Sequence, residues 1–265
     1  MYRLVGILIA AIFLISGCND DDSNDAQKAT LSVRLTDAPA NYEEVLIDVE
    51  EVKVHVGDDT ANDENWVSME NVYSGTYNLL DFTNGLDTLI AEDQLPAGTI
   101  SQMRLVLGDG NQVKTNGTYH DLTIPSGQES GLKFNIHAEL IEGVTYKLWI
   151  DFDAGRSVVE TGSGEFLLKP VIRTYNEATS GAIEGVVMPA VANSYIMAIT
   201  TDEIDTLGTY ADTTTGYFMF QGVDEGTYNL ELKPNDEYLD TTLNDVNVMT
   251  GQVTYLDTIN LERIQ

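Results

Sequence analysis

From Ala29 onward, apolar and polar residues alternate in short runs, and Gly, Asn, Asp and Pro interrupt those runs. Alternation with a period of two, broken by turn formers, predicts β-strands. Leu132, Phe134, Ile136, Ala138 and Leu140 alternate with Lys133, Asn135, His137 and Glu139. After a turn signal at Glu142-Gly143, Tyr146, Leu148, Ile150 and Phe152 alternate with Thr145, Lys147, Trp149 and Asp151. Together the two runs predict an antiparallel hairpin with one apolar face. Between Glu43 and Val56 the phase slips. Val45, Ile47 and Val49 share one parity, whereas Val52, Val54 and Val56 share the other. One inserted residue would restore a common face, so a β-bulge is predicted at Glu50-Glu51. No long stretch carries a helical period, and one short helical turn is expected within Asn84 to Asp93. The fold class expected is all-β, with two β-sandwich domains.

The start of the chain departs from this pattern. Arg3 precedes an apolar or small-residue run from Leu4 to Ile15. That run is too short to span a bilayer, which takes about 20 residues, but it suits the core of a signal peptide. It ends in Ile15-Ser16-Gly17-Cys18, which resembles a bacterial lipobox. The resemblance implies cleavage before Cys18 and lipid attachment to Cys18. The acidic run Asn19 to Asp25 reads as a solvated tether, and it resembles the export signal of Bacteroidetes-type lipoproteins that reach the outer face of the outer membrane. The expected division is a signal peptide at 1–17, a tether at 18–28, a first domain at 29–174, a linker at 175–180 and a second domain at 181–265.

Charge narrows the class of partner. The 265 residues hold 13 Lys+Arg against 43 Asp+Glu, a net charge of −30. Such a surface repels phosphates, which argues against nucleic acid. Residues 29–180 carry 9 basic and 25 acidic groups, and 181–265 carry 2 and 14. Both halves are therefore acidic. A single cysteine rules out an internal disulfide and a cysteine-rich metal cluster.

Two family resemblances are carried by specific residues. Leu35-Thr36-Asp37-Ala38-Pro39, Val49-Glu50-Glu51-Val52, Leu79-Leu80-Asp81, Leu95-Pro96-Ala97-Gly98 and Arg104-Leu105-Val106-Leu107 occur in order. They continue in Pro125-Ser126-Gly127, Ser130-Gly131-Leu132-Lys133, Asp151-Phe152-Asp153-Ala154 and Leu168-Lys169-Pro170-Val171-Ile172. The series resembles an uncharacterised family of prokaryotic surface proteins, catalogued as a domain of unknown function. It implies a β fold and no activity. Gly181 to Val187, Thr213 to Phe220, Gly222 to Tyr228 and Val246 to Leu261 resemble the carboxypeptidase regulatory-like, transthyretin-like module. That fold is grouped with carbohydrate-binding-like sandwiches, and the resemblance implies an accessory, non-catalytic role. Within this segment Gly216 and Gly226 are read as turn glycines. Phe218 and Phe220 should face inward, as should Tyr228, Leu230 and Leu232.

Candidate chemistry is sparse. The three histidines, His55, His120 and His137, form no zinc-peptidase motif, and no nucleophile elbow of the form Gly-x-Ser-x-Gly occurs. Ser130-Gly-Leu-Lys133 has the Ser-x-x-Lys spacing of penicillin-binding enzymes, but that chemistry needs a helical turn and the pair enters a strand. Asp151 and Asp153 lie two apart at a strand end, and Asp37 ends another strand. These three are the candidate metal ligands. Ca²⁺ is the cofactor they could share, although no specific motif supports it, and otherwise no cofactor is expected. The plainer reading is that they accept hydrogen bonds from turn amides. Asp59, Asp63 and Glu70 loosely follow a calcium-loop spacing, but Ala61 and Glu64 break it.

Trp149 faces away from the predicted core row. In the predicted hairpin it would neighbour Lys133 as well as three further polar groups, Asn135 beside it and His137 and Lys147 nearby, which with Trp149 itself make a set of four. These four are the candidate ligand-binding residues, because an outward aromatic among polar groups can stack on a sugar ring. The alternative is that another element covers that face, since most tryptophans are largely buried. Asp-Thr pairs, such as Asp87-Thr88 and Asp257-Thr258, resemble O-glycosylation acceptors of the same bacteria or are ordinary turn chemistry. The expected function is a non-catalytic binding or adhesion role at the cell surface, with glycan the preferred ligand class. The alternatives are a structural component of the cell envelope and, third, an Asp-dependent hydrolase. Expected partners are the outer membrane through the lipid anchor, and a glycan or an envelope protein.

Overall fold

The computed structural model describes residues 28–57, 65–125, 131–177, 179–202 and 206–264. The signal peptide, Cys18, the acidic tether, Asp59, Asp63 and Ser130 lie outside the described residues. The fold is all-β. The first thirteen strands are β1 (Lys28–Ala38), β2 (Glu44–Val56), β3 (Trp66–Ser68), β4 (Gly75–Asn78), β5 (Thr88–Pro96), β6 (Gly98–Leu107), β7 (Gln112–Thr115), β8 (Thr118–Thr123), β9 (Leu132–Leu140), β10 (Thr145–Asp153), β11 (Val158–Glu160), β12 (Phe166–Leu168) and β13 (Ile172–Tyr175). A single helical turn, α1 (Ala154–Ser157), follows β10. Eight further strands are β14 (Gly181–Met188), β15 (Tyr195–Thr200), β16 (Thr206–Tyr210), β17 (Tyr217–Val223), β18 (Gly226–Lys233), β19 (Thr241–Val248), β20 (Val253–Tyr255) and β21 (Ile259–Asn260).

β1 to β13 form one sandwich. A four-stranded sheet in the order β13-β10-β1-β5 packs on a larger sheet in the order β11-β12-β8-β7-β2-β6-β9, with β3 and β4 also on β2. Leu31, Val33 and Leu35 of β1, and Leu148, Ile150 and Phe152 of β10, fill one wall of the core. Val45, Ile47, Val49, Val52 and Val54 of β2 belong to the same core. β2 keeps its apolar row through the phase slip because the register to β6 shifts between Val49 and Glu51, which leaves Glu50 as the extra residue. The predicted bulge is present.

The predicted β9–β10 hairpin is not. β9 pairs with β6, whereas β10 pairs parallel with β1 and antiparallel with β13. Both runs turn their apolar row to one core, but from opposite sheets, so the chain crosses the sandwich at residues 141–144. Alternation determines which face a strand buries and leaves its partner open. The expected helical turn within 84–93 is also displaced. A 3₁₀ turn spans Leu79–Phe82, and Asn84 and Gly85 follow in left-handed conformations.

β14 to β21 close around a second, separate core. It includes Phe218, Phe220, Tyr228, Leu230 and Leu232, all in the predicted inward rows. Gly216 (φ +73°) makes a turn in which a Cβ would collide with the Val187 carbonyl, whereas Gly226 simply opens β18 without a positive φ.

Candidate functional site

The carboxylates singled out from sequence line one cavity of about 170 Å³ at the seam between the two cores, together with Arg156 and Arg173. β1 buries odd-numbered residues and β10 even-numbered ones. Asp37 is therefore in phase with Leu31, Val33 and Leu35 of the core row, while Asp151 and Asp153 are in phase with Trp149 on the outer face. They reach that cavity from residues of opposite parity on neighbouring strands, at the end of the sheet. Among the described residues, no cluster of three His, Cys, Asp or Glu side chains could hold a metal ion.

Each carboxylate has a structural partner. Asp151 Oδ2 accepts from Arg173 Nη2 (2.6 Å) and Nε (3.2 Å). Asp153 caps α1 by accepting from the Arg156 backbone N–H at 2.9 Å. Asp37 Oδ1 accepts from the Ala154 backbone N–H at 2.9 Å, tying the end of β1 to the start of α1. Asp37 Oδ2 is buried and has no hydrogen-bond partner. Burial pushes the Asp37 carboxyl well above the ordinary carboxylate range, although the Ala154 amide opposes this, and Asp151 and Asp153 repel its charge. Burial is also the first cause of a raised Asp153. The reading in which these residues accept bonds from turn amides fits Asp153 and Asp37, the latter through an amide distant in sequence. Asp151 instead bears an arginine that the sequence reading did not single out.

Arg173 is the central residue of the seam. Its guanidinium also donates to the carbonyls of Gln221 (2.7 Å) and Gly222 (2.5 Å) in β17. One side chain thus neutralises a carboxylate of the first sandwich and satisfies two carbonyls of the second module. Tyr175, at the end of the same strand, donates its hydroxyl to Gln221 Oε1 at 2.8 Å. Its ring lies where a Cβ on Gly222 (φ +61°) would overlap it. From the other side of the seam, Asn84 Oδ1 accepts from the Met219 backbone N–H at 3.3 Å. A Cβ on Gly85 would come within 2.7 Å of Met219 Sδ. At Gly222 the contact is close enough to require glycine, whereas at Gly85 the flexible Met219 side chain could give way and it is the positive φ (+89°) that favours glycine.

Trp149 does face outward, as its parity requires, but it is covered and only 5% exposed. Its ring stacks on Tyr175 with centroids 5.6 Å apart and planes 2° apart. Its indole N–H donates to Asp87 Oδ2 at 2.8 Å, and Asp87 also pairs with Arg34. The expected exposed platform is a buried seam residue. Of its expected neighbours, Asn135 lies on β9 in the other sheet, where its side chain accepts from Gln102 Nε2 at 2.8 Å. His137 is also on β9. Lys147 is exposed on β10, two residues from Trp149. The four candidates therefore do not form one site. Tyr175, expected in the linker, ends β13, and Asn176 donates to the Tyr146 hydroxyl at 2.8 Å.

His55 is fully buried, 3.1 Å from Ser101 Oγ and edge-on to Trp66. Trp66 lies under the guanidinium of Arg104 (4.4 Å), with the Lys133 ammonium at 5.4 Å. Lys133 thus serves a cation–π contact.

An all-β sandwich with a second β module sealed to its outer face is the class that fold and seam define. Within it, the chain belongs to the family described as "Domain of unknown function (DUF4382)", whose model matches residues 28–170. No curated protein matches the chain. Similar solved structures include the TIE protein of Bacillus anthracis, at 12% identity and TM-score 0.25, covering 90% of this chain and 34% of that one. The chain therefore spans about a third of that protein. The shaft pilin spaA from Lactobacillus rhamnosus GG (D295N mutant) is 9% identical, with TM-score 0.22 and coverage of 89% and 97%. A putative adhesin from Bacteroides ovatus is 13% identical, with TM-score 0.22 and coverage of 98% and 99%.

Proposed function

We propose that this protein is a surface-displayed lipoprotein whose two β modules form one non-catalytic binding or adhesion element. The observation that carries the reading is the use of the candidate carboxylates. Asp151 is spent on Arg173, Asp153 on the α1 cap and Asp37 on the Ala154 amide. Groups committed in this way hold backbone and modules together, which is a structural assignment. The lipobox at Cys18 supports anchoring in the outer membrane, and the acidic surface suits an ectodomain held away from it. The second module is proposed to be of the carboxypeptidase regulatory-like type, on the strength of its turn and strand motifs.

Glycan remains the proposed ligand class, at a different place. A crevice of about 560 Å³ between the modules is lined by Tyr146, Tyr175 and Tyr228 together with Glu139, Asn176 and Asp224. Tyr228 is buried in the second core and Tyr175 is stacked on Trp149, so Tyr146 is the part-exposed ring, and a tyrosine beside amide and carboxylate groups matches the chemistry of sugar recognition. A glycan array with the mature protein and its Tyr146→Ala variant tests this. Binding that the variant weakens supports the crevice, and silence across neutral, acidic and host-type glycans overturns the ligand class. A second reading, a structural component of envelope assembly, is favoured by the Arg173 seam, because a fixed joint transmits load between modules. It predicts a protein partner in a crosslinked pull-down and no small ligand.

A further inference from the structure

We infer that the end of the first sandwich where β1 begins rests on the lipid surface, through an apolar tip formed by the β5–β6 and β9–β10 loops. The inference builds on the proposed lipid anchor and adds which face of the protein meets the bilayer. Lys28, the first described residue, pairs with Pro96, and Gly98 pairs with Leu140. The Gly143 N–H donates to the Lys28 carbonyl at 2.9 Å, and the Thr30 N–H donates to the Val144 carbonyl at 3.1 Å. These bonds set the two loops side by side at the point where the tether enters. Pro96 and Ala97 are exposed, Ile141 is 63% exposed and Val144 is 48% exposed.

Single exposed apolar side chains are ordinary on a protein surface, and Val191 and Tyr255 are examples here. The tip differs because four apolar residues from two adjacent loops occur together, with Glu142 and Lys28 offsetting each other in charge. Glu139 lies one residue further along β9, so the tip carries one net negative charge, and on a chain of net charge −30 this favours a zwitterionic over an anionic surface.

Geometry supplies the occupant. From Cys18 to Lys28 there are ten residue steps, which reach at most about 35 Å when fully extended. β1 alone carries the chain some 35 Å away from that point, at about 3.3 Å per residue over eleven residues. With the acyl chains in the bilayer, the tether confines the Lys28 end to within about 35 Å of the headgroups, whereas the far end of β1 is free to lie about 35 Å further out. Contact there adds apolar burial to an anchor that already confines the tip to the surface.

Lipidation of Cys18 leaves an introduced cysteine as the one free thiol, so a polarity-sensitive fluorophore can be placed at will. The lipidated full-length protein carrying Ile141→Cys, Ala97→Cys or Val191→Cys is labelled and reconstituted into phosphatidylcholine vesicles containing headgroup nitroxide lipid. Probes at 141 and 97 should be blue-shifted and quenched several-fold more than the probe at 191, which lies in the second module. Adding Ile141→Asp and Val144→Asp to the Ala97→Cys protein should remove most of that quenching without lowering the melting temperature. Equal quenching at all three sites on acylated protein overturns the tip contact and leaves the anchor standing. Intact mass showing no acyl chains on Cys18 overturns the anchor, and the tip contact falls with it.

Discussion

Asp151 and Asp37 lie one register step apart on neighbouring strands and meet opposite fates. On the outer face, Asp151 is paired with Arg173 and stays in a network that joins two modules. On the inner face, Asp37 has one amide partner and one orphan oxygen, and burial raises its pKa. A strongly acidic chain has few cations to distribute. It places one at the seam, where a carboxylate, two carbonyls and a tyrosine can share it, and leaves the inner carboxylate to be relieved by protonation.

Trp149→Ala should produce the largest loss at the seam. It removes a buried ring, its stack on Tyr175 and one of the partners of Asp87, Arg34 being another, at a cost of about 3–5 kcal/mol in chemical denaturation. A cost under about 1 kcal/mol would mean that the outer face is not sealed. Arg173→Ala follows, at about 2–3 kcal/mol, since it strands Asp151 and two carbonyls at once. Tyr175→Phe keeps the stack and deletes only the hydroxyl bond to Gln221, so about 1 kcal/mol is expected.

The smallest effect carries the opposite sign. Asp37 has a folded pKa above its unfolded value, so its stabilising contribution is full below the ordinary carboxylate range. That contribution is lost as pH rises through the raised pKa. Asp153, also raised, adds to the same trend. Asp37→Asn should therefore raise the melting temperature at neutral pH, and the gain should vanish in acid. A gain that persists at low pH would show that charge at Asp37 is not its cause.

The sequence was most legible where one strand decides its own geometry. The phase slip in β2 located its bulge, and the parity of Phe218, Phe220, Tyr228, Leu230 and Leu232 placed them in the second core. Parity also turned Trp149 outward correctly. What lay beyond reach depended on contacts distant in sequence. Trp149 is covered through Asp87, 62 residues away, and Asp37 is tied to Ala154, 117 residues away. The β9–β10 pair misled because its short connection crosses between sheets, whereas sequential strands more often pair. Arg173 escaped notice because a lone arginine in a short strand has no motif. Its role exists only once β17 is packed against β13.

Differential scanning calorimetry of the mature protein beside its Arg173→Ala variant tests the seam most directly. One coupled transition is expected for the native protein, splitting into two in the variant as the modules lose their joint. Two independent transitions in the native protein, unmoved by Arg173→Ala, would contradict a fixed seam.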